Sequence, residues 1–391
     1  MKKSLLAIAA AGAFAGAAQA QSSVTVYGLI DAGLGQGSTT YGVGGANKLN
    51  QNWVGGINSS NGSGMEAGSR LGFRGVEDLG GGTRAGFVIE VGLNIGNGVN
   101  FSTTPTTADT NATLGNAALF GNTRQAYVSL ADNSFGELRI GTQDSLAKNL
   151  LGGYDPGREA LVTGATSLYQ QATVLRFGQA ITYQLPTMAG IVVRAQYAGD
   201  SGTYGTNGTT NTATTNNAGS VSAKWTQGKA SVGAVYEVRN QFTPTPGTVS
   251  TQVALNPNLA TTTNVPSIVQ WGAGADYDFG MIKPSILYYN QKYNNPGNAA
   301  ASGGLSGTQL GFTAPVAKQV NLIASYIFGN VTNNGTTLYN TSGFQTMIDY
   351  NLSKRSRLYG IYGQTAWNTN NAGYTATVKT QQYGVGLLHT F

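Results

Sequence analysis

Arginine recurs in this chain at alternate positions of short apolar stretches. Arg70 and Arg74 interleave with Leu71 and Phe73, and Arg84 and Glu90 share a face opposite Ala85, Phe87, Ile89 and Val91. Arg124 of TRQAY, Arg139 of GELRIG and Arg176 of LRFGQAITY repeat the arrangement farther on. Rows of guanidinium groups facing water have two uses at such spacing: they attract anions, or they pair with neighbouring acids to hold the surface and leave little net field. Nucleophilic and metal chemistry find no footing. There is no cysteine, and the one histidine, His389, falls on the face of the last strand assigned outward. A Ser-His-Asp or Cys-His site needs a base beside its nucleophile, and zinc needs a cluster of His or Cys. No G-x-G-x-x-G or P-loop pattern joins a strand to a helix. The chain is therefore read as a non-enzyme with no cofactor.

Alternation with period two means β-strands, each with one apolar and one polar face. The link Glu77-Asp78-Leu79-Gly80 between the first two arginine-bearing strands is short, acidic and glycine-ended, as a hairpin turn should be. A soluble core would not bury the arginines unpaired. Two arrangements remain: the apolar face lies on a protein core and the arginines in bulk water, or the apolar face meets lipid and the arginines line a water-filled interior.

Lys2 and Lys3 precede an apolar run over 5–18 that ends in Ala18-Gln19-Ala20, so residues 1–20 read as a secretory signal peptide. Residues 21–391 are expected to form one domain, since no linker or shift of composition divides them. The chain has 57 glycines, 20 tyrosines and only 10% charged residues, which is unlike a disordered chain. Its formal charge is +6, but arginines spread one per strand form no continuous patch, so nucleic acid is not an expected partner.

Sixteen strands are expected: 23–35, the two arms of 69–94, 123–130, 135–142, 174–185, 190–199, 218–227, 229–241, 267–279, 281–294, 303–315, 319–331, 341–352, 356–367 and 378–391. Short turns and long polar loops alternate strictly between them, with 36–64, 96–121, 200–217, 242–266 and 332–340 among the long ones. An antiparallel barrel of even strand number, with both termini at one end, has this arrangement. A crossing needs roughly 9–11 residues, which these strands supply, whereas sandwich strands are shorter and their loops show no such asymmetry. Lipid offers no partner to an unpaired edge, so the last strand must close on the first, and the terminal aromatic Phe391 marks that closure. Trp225, Tyr236, Trp271, Tyr277, Phe279, Tyr288, Phe328, Phe344, Tyr350 and Trp367 are expected in the interfacial girdles. Over 123–130 the alternation blurs, with Gln125 and Ser129 assigned outward, which suggests a surface against another subunit.

VTVYGLIDAGLG, SRLGFRGVEDLGGGTRAGFVIE, RQAYVSL followed by FGELRIGTQ, and the ending YGVGLLHTF together resemble the general porins of Gram-negative bacteria, of the beta-proteobacterial OmpC-like type. The resemblance covers the expected mature chain, residues 21–391, end to end. It implies an all-β, transmembrane, antiparallel sixteen-stranded barrel in the outer membrane, with both termini periplasmic and a homotrimeric assembly. It implies as partners outer-membrane lipid and lipopolysaccharide, the barrel-assembly machinery reading Phe391, and small polar solutes and ions. The third long loop, 143–173, would fold into the pore. Its acids Asp155 and Glu159 would oppose a ladder formed by Arg70, Arg124 and Arg176, with Arg74 inward on the same strand as Arg70. Leu29 stands where some relatives carry a basic residue, and their Pro-Glu-Phe-Gly-Gly stretch is absent.

The function expected is passive diffusion of small hydrophilic solutes. A substrate-specific channel for a sugar or organic anion is the alternative, suggested by Tyr154 and Tyr169 in the third loop. A larger plugged receptor is excluded, because the first strand starts almost at the cleavage site. Alternation sends Arg70, Arg74, Arg84, Arg124, Arg139, Arg176, Arg194, Lys224, Arg239 and Lys283 inward, against Glu90, Glu137, Glu237, Asp276, Asp278 and Asp349. Bases outnumber acids, so a weak anion preference is expected.

Overall fold

Alternation does produce strands here, and they are long. The computed structural model describes residues 23–41, 47–54, 65–93, 95, 120–158, 160, 176–199, 217–242, 265–294, 302–333, 335–369 and 378–391. The signal peptide expected over 1–20 lies outside the described residues. The strands are Ser23–Tyr41 (β1), Asn47–Val54 (β2), Arg70–Gly80 (β3), Thr83–Leu93 (β4), Phe120–Asp132 (β5), Gly136–Asp144 (β6), Arg176–Gln184 (β7), Ile191–Ala198 (β8) and Asn217–Gln227 (β9). Then follow Ala230–Phe242 (β10), Val265–Tyr277 (β11), Lys283–Asn294 (β12), Gly303–Ala317 (β13), Val320–Asn333 (β14), Thr336–Asn351 (β15), Ser356–Thr369 (β16) and Val378–Thr390 (β17). Among the described residues a helix, Leu146–Gly152 (α1), follows β6.

From β3 onward each strand pairs antiparallel with the next, and β17 returns to β1 over Leu29–Thr40. The ring is closed. Beyond the ladder, Phe391 N–H donates to the Gly28 carbonyl at 3.1 Å, and Gly28 N–H donates to the Phe391 carbonyl at 3.3 Å. A Cβ at Gly28 would meet the Phe391 ring at 2.6 Å, so the absent side chain makes room for the terminal aromatic.

Sixteen strands form the ring, and β2 is an addition. Residues 36–64 were expected to be loop, yet β1 runs on to Tyr41 and pairs with β2 over 34–41. The reason is an edge: β17 covers one side of β1 as far as Thr40, while β3 covers the other only through Leu29. Without β2 the remaining amides and carbonyls of β1 would be unpaired. The expected long loop over 332–340 is likewise corrected. Only residues 334–335 separate β14 from β15, with Gly335 at φ +78°, and the threonines and Tyr339 continue the hairpin as β-formers do.

Val24, Val26, Ile30, Ile140, Ile181, Val221, Trp271, Tyr326 and Val385 all lie on the outer face and are exposed. Asp31, Glu90, Gln196, Ser220, Glu237, Gln270, Gln309, Gln345 and Asp349 are turned the other way and buried. Three outer assignments change, those of Trp367, Gln125 and Ser129, which all face inward. Trp367 is buried against Leu338 and Tyr339, so it does not belong to a girdle. In β5, Val128 and Leu130 point outward, and Gln125 stands opposite the inward Glu90, so the apparent blurring disappears. The register steps from Glu90–Gln125 to Val91–Thr123, leaving Arg124 as a bulge. That extra residue re-aims Arg124 into the lumen from a position that strict alternation with Val128 would send outward.

Candidate pore constriction

After β6 the chain turns into the barrel. Ser145 caps α1 by accepting from Lys148 N–H at 3.1 Å, and Leu146, Leu150 and Leu151 are buried against the inner wall with Val235, Leu287 and Tyr289. Removing such a leucine from water is worth about 1.5–3 kcal/mol. The wall receives the loop because its inward positions there are glycines. A Cβ at Gly233 would reach Leu150 at 2.9 Å, one at Gly272 Leu151 at 2.7 Å, and one at Gly311 Pro156 at 2.5 Å. At Gly274 it would overlap the Tyr154 ring. The glycines of β10, β11 and β13 are thus a bed for the third long loop. Toward the end of the barrel that carries the short turns, a cavity of about 370 Å³ opens between Tyr154, Arg158, Asp276 and Lys283.

Arg70, Arg74 and Arg124 converge. Glu90 of β4 lies 3.9 Å from Arg70 and accepts from Arg124 Nε at 2.5 Å. Tyr27 O–H donates to the same carboxylate at 3.1 Å, and the Arg74 guanidinium lies 5.2 Å from the centre of the Tyr27 ring. No carboxylate among the described residues is in ion-pair range of Arg74. Two guanidinium groups therefore share one carboxylate, and a third, Arg74, stacks on the Tyr27 ring whose hydroxyl bonds that same carboxylate.

Arg176 does not join this group. It pairs with Asp144 at 3.1 Å, at the top of β6, where Lys148 also reaches Asp144 at 2.7 Å. Asp155 is 6% exposed and bonded into the wall: Gln309 Nε2 donates to it at 2.6 Å and Gly157 N–H at 2.9 Å. Its carboxylate anchors the loop to β13 and does not stand across the lumen as expected. Glu159 lies outside the described residues. Elsewhere the wall charges pair with neighbours: Arg139 with Glu137 at 2.7 Å, Arg239 with Glu237 at 3.3 Å and Lys283 with Asp276 at 3.3 Å. Tyr154 faces the wall too, its hydroxyl 3.0 Å from Ser231 Oγ and its phenol pushed up by burial.

A second charged group was missed. Glu66 is bonded by Arg158 of the third loop at 2.8 Å and by Arg357 of β16, and Arg158 also reaches Asp349 at 2.7 Å. Burial disfavours charge on Arg158, but Asp349 and Glu66 overcome that and hold its pKa above the ordinary arginine value. Asp31 and Arg357 carried a usable signal, since alternation with Ile30 and Leu358 sends both inward. Nothing in GSGMEAGS distinguishes Glu66.

A sequence profile of the Gram-negative porin family matches residues 7–373. The chain belongs to that family. It is accordingly a channel of the Gram-negative outer membrane for passive diffusion, and the closed barrel with an inward third loop is the structure that performs it. An outer membrane porin protein of Bordetella pertussis is 28% identical to this porin over 429 residues, covering 100% of both chains. Outer membrane porin protein 32 of Delftia acidovorans is 28% identical over 376 residues, covering 92% of this chain and 88% of its own. Among solved structures, an anion-selective porin from Comamonas acidovorans has TM-score 0.65 at 21% identity, covering 95% of this porin and 100% of that chain. Vibrio cholerae OmpT in trimer form has TM-score 0.60 at 15% identity, covering 95% and 99%. Both share the fold.

Proposed function

We propose that this porin passes small hydrophilic solutes and ions with a modest preference for anions, without catalysis and without a cofactor. The observation that carries the reading is that Arg70 and Arg124 meet on a single carboxylate, Glu90, while Arg74 stacks on the neighbouring Tyr27 with no carboxylate among the described residues in ion-pair range. Basic side chains facing a pore favour anions, and low-dielectric walls focus their field. Most other wall charges are matched by an adjacent opposite charge, so the preference is small. The inward groups added by the structure include Arg158, Lys148 and Arg357 on one side and Glu66, Asp31 and Asp144 on the other, and they offset one another. The anion-selective porin of the same fold supports this reading.

The zero-current potential of the purified channel in a planar bilayer under a KCl gradient is the test. An anion-selective sign at low salt is expected, and a cation-selective sign overturns the proposal. A sugar-specific channel would need exposed aromatic faces along the path. Tyr154 is 1% exposed and turned to the wall, and Tyr169 lies outside the described residues, so that alternative loses part of its motivation.

Homotrimeric assembly belongs to the same proposal, supported by the trimer form of an outer membrane protein that shares this fold. So does the orientation, with both termini in the periplasm and the long loops outside. The barrel is expected to sit among lipopolysaccharide and lipid, and to be delivered by the barrel-assembly machinery through its Phe391 end. Protease added to intact cells should leave the turn at Glu77–Gly80 uncut; cleavage there would reverse the orientation.

A further inference from the structure

We infer that residues 65–69 form a second constriction element facing the third loop, and that Glu66 is the positioning residue that fixes the Arg158 end of that loop, its tip among the described residues, across the lumen. The inference rests on the reading of the barrel interior as the diffusion path, and concerns what narrows it.

The segment is built into the wall. Asp31 accepts from Glu66 N–H at 2.9 Å, from Ala67 N–H at 2.7 Å and from Tyr359 O–H at 2.6 Å. Met65 N–H donates to the Tyr359 hydroxyl at 3.2 Å, and Ser69 Oγ accepts from Asp31 N–H at 3.0 Å. Met65 is fully buried over two glycines, Gly35 and Gly384, on adjacent strands β1 and β17. A Cβ at Gly35 would meet the methionine methyl at 2.6 Å, and one at Gly384 would overlap its sulfur. This is a glycine bed like that under α1, on a different arc of the barrel. Around Met65 the inner wall is apolar: Leu29, Ile323, Met347, Ile361 and Leu388 pack there, and Ala160 brings the third loop into the same cluster. A wall meant only to face water has no reason to present such a patch.

Glu66 then joins the two inward segments. Its side chain is 1% exposed and receives Arg158 from the third loop and both Nε, at 3.0 Å, and Nη2 of Arg357 from β16. Arg158 stands at φ +56°, a left-handed conformation that a side-chained residue keeps only when its surroundings hold it. The Glu66 and Asp349 carboxylates are those surroundings. Removing the pair should free the tip while leaving α1 on its own bed.

Single-channel recording and polymer-exclusion sizing of Glu66→Gln, Arg158→Gln and Met65→Ala test this. The first two should both admit larger polyethylene glycols and raise open-channel noise, because each unties the tip. Their zero-current potentials should move oppositely, Glu66→Gln toward stronger anion preference and Arg158→Gln toward weaker. Met65→Ala should enlarge the exclusion size with no change in potential, and it carries the test if the charge variants fail to fold. Glu66→Asp, which keeps the carboxylate, should recover most of the wild-type noise. Wild-type exclusion size and noise in folded Glu66→Gln and Met65→Ala would overturn the inference, as would a shift of potential alone. Neither result depends on the sign of the wild-type selectivity, so the anion-preference proposal stands or falls separately.

Discussion

Two glutamates in the lumen each hold arginines, and the difference between them lies in where the partners originate. Glu90 takes Tyr27, Arg70 and Arg124 from nearby strands of the wall, and Arg74 stacks on the tyrosine. The cluster is rich in bases and partly open, with the Arg70 side chain 28% exposed. Glu66 takes Arg158 from 92 residues away and Arg357 from 291, and shares its surroundings with Asp31 and Asp349. There three carboxylates meet two guanidiniums. The first arrangement concentrates positive field where ions pass, whereas the second uses its charges to hold two segments together. A charged cluster in a pore is therefore not automatically a selectivity element.

The comparison breaks most directly at the first cluster. Arg70→Ala combined with Arg124→Ala removes both guanidiniums bonded to Glu90, and should abolish or reverse the anion preference in the zero-current potential. If the potential is unmoved, the Glu90 cluster does not set selectivity. Arg74→Ala sharpens the point with a smaller loss. Its stacking on Tyr27 is worth only about 0.5–1 kcal/mol at an exposed site, so selectivity should fall while the heat stability of the barrel stays within error. Both shifts should shrink between 0.1 M and 1 M salt, as the screening length drops from about 10 Å to about 3 Å.

Gly274→Ala addresses the inward segments without touching charge. The new Cβ collides with the Tyr154 ring, and overpacking of this kind costs about 1–3 kcal/mol unless the neighbour moves. The loop should be pushed off its bed into the lumen, giving a lower conductance with an unchanged zero-current potential. An altered potential with wild-type conductance would mean that the bed does not set the width. Asp155→Asn should have the smallest effect on selectivity, because the lost charge is buried against Gln309 rather than facing ions. Its mark should be open-channel noise, from weakening a bond to a charged acceptor worth about 1.5–3 kcal/mol.

Period-two alternation assigned the two faces of each strand, and the alternation of short turns with long loops closed the strands into a ring. Leu71 against Arg70, Ile140 against Arg139 and Val385 against Gly384 tell lipid from lumen one strand at a time, because a strand has only two faces and lipid accepts only one kind. The same rule sent Arg70, Arg74 and Glu90 inward together, so the base-rich cluster was largely legible. Arg124 faces inward through its bulge and not through alternation, which from Val128 would send it outward: a register step depends on the partner strand, not on the residue. What only the tertiary structure decided lies on the segments without a period. Asp155 and Tyr154 proved to be anchors because the glycines of β10, β11 and β13 leave a groove that accepts them. Glu66 found Arg158 and Arg357 because two loops fold into one lumen. Alternation constrains each strand through its nearest neighbours, but an inward loop is placed by the whole inner surface at once, which no local spacing encodes.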